Sequence, residues 1–308
     1  MKLSASPFFV VLGGPTGVGK SSAAIEIAHR FDGEVINADS RQIYRGFDIG
    51  TGKVTPEEAK GIPHHLYDIA DGRERFSAFR FLTLAAEKVR EIHARGKLPL
   101  VVGGTGLYIR ALLHGLFEET GTDPGLRARL VQKAEEVGWG ALYAELQGVD
   151  PSYAATLSPN DRVRIIRALE VFKTSGRPIS EHFRETRPPL PEFRSLKIFL
   201  TQAREELYRR IDARVEEMFR QGLEEEVRRL LQEGYDPSCP GFQSIGYRDV
   251  LEFLRRETPK SVALENMQRL TRNYAKRQIV WFKKEKGFLH LPVSQGETLL
   301  RLVQEELS

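Results

Sequence analysis

Residues 8–22 read FFVVLGGPTGVGKSS. The first five are apolar and β-prone, a short run that suits a buried strand. Gly14-Pro15-Thr16-Gly17-Val18-Gly19-Lys20-Ser21 then fills every position of G-x-x-x-x-G-K-[ST], with a strand pattern before it and a helix pattern after it. Glycines let several backbone N–H groups converge on one anion, and the helix start adds its positive dipole end. Lys20 supplies a mobile cation for a terminal phosphate, and Ser21 a hydroxyl suited to Mg²⁺. Ala24, Ile27, Ala28 and Phe31 recur at helical spacing, and Gly33 stops that helix.

Outward from the loop, strands alternate with helices. GEVINADS (33–40) reads as a strand ending at Asp39. Ser77 stands as the N-cap of a helix carrying Ala78, Phe81, Leu82, Ala85, Val89 and Ile92 on one face, closed by Gly96. LPLVV (98–102) is a third strand, and GGTG turns into a helix through Leu113. This alternation implies parallel crossovers and hence an α/β fold with a parallel sheet. From about 115 to 193 no comparable strand occurs and helical segments dominate. One helix there is signposted by Ser158 as cap, Pro159 in the first turn, Gly176 past the end and Pro178 beyond. LKIFL (196–200) returns as a strand, so residues 115–193 read as a helical insertion within a core made of 1–114 and 194–308. A helical C-terminal segment follows, with helices near 203–220, 222–233, 244–256 and from Pro259 to about Lys286.

Composition narrows the class. The 308 residues carry 46 Lys and Arg against 42 acids, a net charge of +4, so a nucleic-acid reading needs local charge clusters. A single cysteine, Cys239, excludes an intramolecular disulfide framework and a cysteine zinc site, and fits a reducing cytosol. Phe8 to Leu12 is too short to span a bilayer and runs into the glycine loop rather than a cleavage site. The expectation is a soluble, intracellular protein with no membrane association.

The loop binds phosphates without saying whose. LPLVV ends in Gly103-Gly104-Thr105 with no acid, where a hydrolytic P-loop protein usually places a metal-binding carboxylate. Asp39 is the carboxylate at a strand's C-terminal end, where open α/β sheets place their ligands. It reads as metal ligand or general base, against a turn-capping role. Asn-Lys-x-Asp is absent, which argues against a GTPase. Arg210 and Arg214 sit four apart on a helix that begins just after the returning strand, within reach of the loop, with a surface salt bridge to Glu217 as the plain alternative. Arg164 and Arg167 share one helical face, with Val163, Ile166 and Leu169 on another. Between Arg269 and Lys286 stand seven basic residues and one acid, interleaved with Tyr274, Trp281 and Phe282. That pattern suits RNA phosphates and unstacked bases, or equally a solvated face over a core-facing aromatic stripe. His64 and His65 are adjacent and so point to opposite sides of an extended segment, which favours a structural role over a metal pair.

Eight segments together resemble the tRNA dimethylallyltransferases, isopentenyl transferases acting on adenosine 37. They are GGPTGVGKS (13–21), INADSRQIY (36–44), IPHHLYDI (62–69), VVGGTGLYIRAL (101–112), RVRIIRALEVF (162–172), LYRRIDARVEEMF (207–219), QSIGYRDV (243–250) and YAKRQIVWFKK (274–284). The resemblance implies a P-loop kinase-like parallel sheet core with a helical insertion that embraces the anticodon stem-loop of tRNA, and Mg²⁺-dependent transfer of a dimethylallyl group from dimethylallyl diphosphate to the adenine N6. By motif, Asp39 is the general base and Thr105 lies at the reacting adenine. Ser40, Arg41 and Gln42 contact RNA. Gly14 to Ser21, with Arg214, hold the diphosphate, Ser21 on the metal. Arg127, the segment Val163, Arg164, Ile165, Ile166 and Arg167, and the segment Gln243, Ser244, Ile245, Gly246, Tyr247 and Arg248 touch tRNA. The resemblance further implies a cytoplasmic enzyme, expected as a monomer. A small-molecule P-loop kinase and a non-catalytic RNA-binding P-loop protein are the alternatives. The acid-free VVGG strand end and the basic helices count against the first, and Asp39 beside the phosphate site counts against the second.

Overall fold

A computed structural model describes residues 7–117 and 124–307. Six parallel strands form one sheet: β1 (Phe8–Gly13), β2 (Gly33–Asn37), β3 (His64–His65), β4 (Leu98–Gly103), β5 (Arg194–Thr201) and β6 (Leu289–Pro292), in the order β3-β2-β4-β1-β5-β6. Every residue of β1 is buried, as a central strand covered on both faces requires. Its side chains alternate between two cores. Phe8, Val10 and Leu12 pack with Ala24, Ile27 and Ala28 of the helix Lys20–Phe31 and with Leu299 and Val303 of the helix Gly296–Leu307. Phe9 and Val11 face Phe81, Ala85, Val89 and Ile92 of the helix Ala78–Ala94, and Ile109 of the helix Gly106–His114. A period of two in the strand thus meets the helical period on each face.

Ser77 caps its helix, accepting from Arg80 N. The edge strands β3 and β6 are too short to show as periodic runs in the sequence. At β3, His65 Nε2 lies 2.6 Å from Glu34 Oε2, and Arg95 Nη2 donates to the same oxygen at 2.5 Å. His64 Nδ1 meets Ile62 O at 2.8 Å. Burial raises the Glu34 carboxyl's pKa, and the His65 and Arg95 hydrogen bonds outweigh it, holding the group below its ordinary value. The pair of histidines is therefore an edge fastening. The long C-terminal helix ends at Phe282, four residues short of the sequence expectation.

Beyond the sheet, Phe47 is the hub of a third core with Tyr235, Phe242 and Tyr247 around its ring. Buried Glu226 anchors that core. Its carboxylate accepts from the backbone N–H of Asp48, Ile49 and Gly50 at 2.9, 2.8 and 3.1 Å, and from the Tyr247 hydroxyl at 2.6 Å.

The chain divides into two compact units, 1–113 with 189–308, and 114–188. Residues 189–193 lie with the core rather than the insertion, because Leu190 and Phe193 pack on the Phe9 side of the sheet. In the second unit, the helices Pro124–Val137, Trp139–Val149 and Arg162–Ser175 enclose Leu130, Leu142, Leu146, Ile165, Ile166 and Leu169. Residues 118–123 of the expected insertion lie outside the described residues. The cap of Arg162–Ser175 is Asp161, whose Oδ1 accepts from Arg164 N, and not Ser158. Ser158 shapes the turn before it, accepting from Asn160 N and Asp161 N. Gly176, at φ 73°, closes the helix as expected. Among the described residues no helix is long and apolar enough to cross a membrane.

Candidate active site

The phosphate loop leaves the end of β1 and enters the helix Lys20–Phe31. Gly17 and Gly19 adopt φ 81° and 103°, a region closed to most side chains, so glycine at both positions follows from the turn itself. Lys20 Nζ donates to the carbonyls of Gly14 and Pro15 at 3.0 and 2.9 Å. Burial lowers its pKa to about 8; Asp39 pulls it back up and Arg214 adds to the depression. Arg214 reaches the site from the helix Arg204–Arg220, and its Nη2 donates to Gly52 O at 3.0 Å. Its guanidinium too is held below its ordinary pKa, first by burial, with Asp39 and Glu58 opposing. Arg210 lies against Gly19 from the same helix. The Ser21 hydroxyl stands at the exposed first turn.

Facing this cationic cradle, β2 delivers Asp39 two residues beyond its last residue. Asn37 shapes the turn: its Oδ1 accepts from Asp39 N at 2.9 Å, and its Nδ2 donates to Asp39 O and Leu66 O at 3.2 and 3.1 Å. Asp39 Oδ1 accepts from Arg41 N at 2.9 Å. Among the described residues Oδ2 takes no hydrogen bond, so turn capping uses one oxygen and leaves the other for chemistry. The Tyr67 and Tyr274 phenols are both pushed up, first by burial and then by the Asp39 charge, so both rings stand near that carboxylate.

Thr105 is bonded to this turn. Its N–H donates to Ala38 O at 3.2 Å, its Oγ1 accepts from Ser40 N at 2.9 Å, and its hydroxyl donates to Ser40 Oγ at 3.3 Å. Gly103 belongs to the same junction, since a Cβ there would strike the Ala38 carbonyl. Arg41 reaches Pro240 O at 3.3 Å, and Gln42 donates to Thr51 O and Gly52 O at 3.1 and 2.9 Å. Gln42 and Arg214 thus grip the same carbonyl.

The structure therefore brings together Gly14 to Ser21, Asp39 to Gln42, Thr105 and Arg214. It adds Gln278, which sequence reasoning missed: buried, it accepts from Thr16 N at 2.8 Å and donates to Gly104 O at 2.9 Å. Its signal was present as a polar side chain on the buried stripe of Met267, Ala275 and Phe282.

Other expected RNA contacts separate by exposure. Ser244 and Tyr247 are buried, Tyr247 on Glu226 and Ser244 donating to Gly241 O. Gly246, at φ 96°, starts the helix Tyr247–Leu254. Arg248 is exposed and pairs with Glu252 at 3.2 Å, and Gln243 is exposed as well. In the second unit, Ile165 and Ile166 lie in the core, so their side chains are not surface contacts. Val163, expected on the apolar face, is 68% exposed. The Arg164 side chain is 56% exposed, whereas Arg167 is tied at 2.9 Å to the fully buried carboxylate of Glu170. Arg127 lies half-exposed in the first turn of Pro124–Val137.

Sheet order, glycine loop and opposed carboxylate define a P-loop α/β protein in which the glycine loop faces Asp39. The sequence model described as IPP transferase matches residues 42–285, and that described as isopentenyl transferase matches residues 8–72. The tRNA dimethylallyltransferase of Geobacter sulfurreducens is 47% identical over 276 residues, 90% of this chain and 89% of that one. That of Syntrophobacter fumaroxidans is 44% identical over 297 residues, 96% of this chain and 87% of that one. Among solved structures, the full-length tRNA isopentenylpyrophosphate transferase of Bacillus halodurans superposes with a TM-score of 0.72 at 36% identity, covering 98% of this chain and 97% of that one. A eukaryotic dimethylallyltransferase acting on tRNA gives a TM-score of 0.79 at 32% identity, covering 97% of this chain and 78% of that one. The chain belongs to the tRNA dimethylallyltransferase family of prenyltransferases.

Proposed function

We propose that this enzyme transfers a dimethylallyl group from dimethylallyl diphosphate to N6 of adenosine 37 in the anticodon loop of tRNA, with diphosphate held by the phosphate loop and Asp39 as general base. One observation carries the reading: the free oxygen of Asp39 and the cations Lys20 and Arg214 share one electrostatic neighbourhood at the C-terminal edge of the sheet.

Diphosphate is the leaving group. Loop N–H groups, Lys20 and Arg214 stabilise the charge that develops as the C–O bond breaks. An exocyclic adenine amine is a weak nucleophile, and a carboxylate takes its proton as the C–N bond forms. The adenine must leave its stack to reach Asp39 and Thr105. Mg²⁺ suits the hard oxygen donors here. No group of three or more His, Cys, Asp or Glu able to hold a metal occurs among the described residues, so Ser21 would hold the ion together with diphosphate oxygens and water. Bound there, Mg²⁺ would supply Lewis-acid neutralisation of the leaving group. Arg164, Arg127 and Arg248 are candidates for backbone phosphates by their exposure, and Val163 for an apolar contact. The tRNA substrate suits the cytoplasm.

Mass spectrometry of nucleosides from tRNA incubated with the enzyme, dimethylallyl diphosphate and Mg²⁺ tests the reading. The expected product is N6-dimethylallyladenosine at position 37. Phosphorylation of a small molecule by ATP, with unaltered tRNA, would favour a kinase instead.

A further inference from the structure

The helix Lys260–Phe282 sends three side chains from one face to the junction of the site. Tyr274, Gln278 and Trp281 stand at i, i+4 and i+7, and so share that face. Tyr274 meets Thr105, which pulls the phenol's pKa down while burial and Asp39 push it up. Gln278 bonds to Thr16 N and Gly104 O. Trp281 packs on Gly106, where a Cβ would strike the indole nitrogen. A Cβ at Gly104 would likewise collide with Gln278 Nε2. Glycine at 104 is thus explained by close approach rather than by backbone twist, since its φ is not in the left-handed region.

The two bonds of Gln278 join different halves of the chemistry. Thr16 belongs to the loop that holds the leaving group, and Gly104 precedes Thr105, which faces the acceptor. Both partners are backbone groups, so any other side chain at 278 changes the spacing of two loops at once. A buried amide satisfied at both ends is also a rigid link, because either partner left unpaired would lose its hydrogen bond away from water.

We propose that Gln278 is a positioning residue that sets the distance between the diphosphate carbon and the adenine amine by tying the phosphate loop to the Gly104–Thr105 turn. This rests on the reading of donor and acceptor given above. With Oε1 on Thr16 N and Nε2 on Gly104 O, Gln278 acts through the two loops rather than on a substrate. Its effect is expected in the chemical step, where a misplacement on the order of 1 Å costs about 10²-fold.

The test uses Gln278→Met, which removes both bonds at similar volume; Gln278→Glu, which keeps an acceptor for Thr16 N but cannot donate to Gly104 O when ionised; and Gly104→Ala, which displaces the amide while leaving Gln278 in place. Single-turnover transfer is measured with tRNA and dimethylallyl diphosphate saturating, alongside the Kd of each substrate and the Tm. The expected result is a fall of about 10²-fold in the single-turnover rate for each variant, with both Kd values within a few-fold of wild type. A merely structural glutamine would lower Tm and leave the rate of the folded fraction unchanged, which overturns the proposal. A rise in the Kd of dimethylallyl diphosphate at unchanged rate also overturns it, making Gln278 a support for phosphate binding alone. If Gln278→Met does not fold, the rate in Gly104→Ala decides. If wild type transfers nothing to tRNA, the functional reading fails. If wild type transfers and the variants match its rate, only this inference does.

Discussion

At the phosphate-loop edge, side chains far apart in sequence meet: Thr16 with Gln278, Ser40 with Thr105, Arg214 with Gly52. In the insertion 114–188, several charged side chains find partners within a helical turn: Arg164 with Asp161, Arg167 with Glu170, Arg177 with Glu181. The first region uses long-range hydrogen bonds to fix the positions of a few groups. The second keeps an apolar core of its own, with the carboxylates of Asp150 and Glu170 buried and Arg164 at its surface. Substitutions in the first should therefore change the chemical step, and substitutions in the second should change affinity or local stability.

The sharpest way to break that contrast is Asp39→Asn. Asparagine keeps an acceptor for Arg41 N but takes no proton at neutral pH, so single-turnover transfer should fall about 10²–10⁴-fold while tRNA Kd holds. Partial rescue by raised Mg²⁺ together with weakened diphosphate binding would identify a metal ligand instead. Near-normal transfer would reduce Asp39 to the turn cap its Oδ1 already provides.

Next in size is Lys20. Lys20→Ala should raise KM for dimethylallyl diphosphate and lower kcat by about 10²-fold, as removal of a donor to developing charge does. Stability adds a pH test with a definite sign. Below pH 8 both folded and unfolded chains carry the Lys20 proton, and the fold bears the cost of burying the charge. Between about 8 and its ordinary value of 10.5 the unfolded chain binds more protons, so stability rises with pH. Lys20→Met should therefore gain most over wild type at pH 7, with the gap closing toward pH 10.5. Urea unfolding of both proteins at the two ends of that range checks it, and a gap independent of pH refutes it.

In the insertion, the two arginines should part company. Arg164→Ala should lower the slope of log affinity for an anticodon arm against log salt by about 1, with Tm unchanged. Arg167→Ala strips the ion-pair partner from a fully buried carboxylate and should cost about 2 kcal/mol, less than a fully buried pair because Arg167 is itself partly exposed. Equal effects of both on salt slope and Tm would erase the distinction. The smallest effect is local: Asp161→Ala should cost about 1 kcal/mol and Ser158→Ala close to nothing, read by thermal melts.

Much of the core was legible because its signals are local. A strand of alternating faces, a glycine loop and an amphipathic helix each declare themselves within about twenty residues, and Asp39 followed from its place at a strand end. Gly176 likewise needed only its left-handed turn. Gln278 and Glu226 were illegible for a common reason. Each is a polar residue whose role is defined by a partner group that no spacing rule connects to it, as Glu226 shows with the N–H groups of Asp48 to Gly50. Ser158 and Asp161 competed for one cap, and only the start of the helix decided between them. The burial of Tyr247, Ile165 and Ile166 inside segments expected to meet RNA was likewise invisible, since a motif records which residues recur and not which way they point.

By itself the sequence determined a glycine loop at the end of the first strand, because its backbone amides can converge there only with glycine at the positions that adopt left-handed φ. What surrounds that loop was decided by tertiary structure alone. The helix Lys260–Phe282 supplies Gln278 across 262 residues of chain, and Arg204–Arg220 supplies Arg214 to the Gly52 carbonyl. Such contacts exist only after the two cores on either face of the sheet have closed and set the helices in place, and no local propensity encodes that distance.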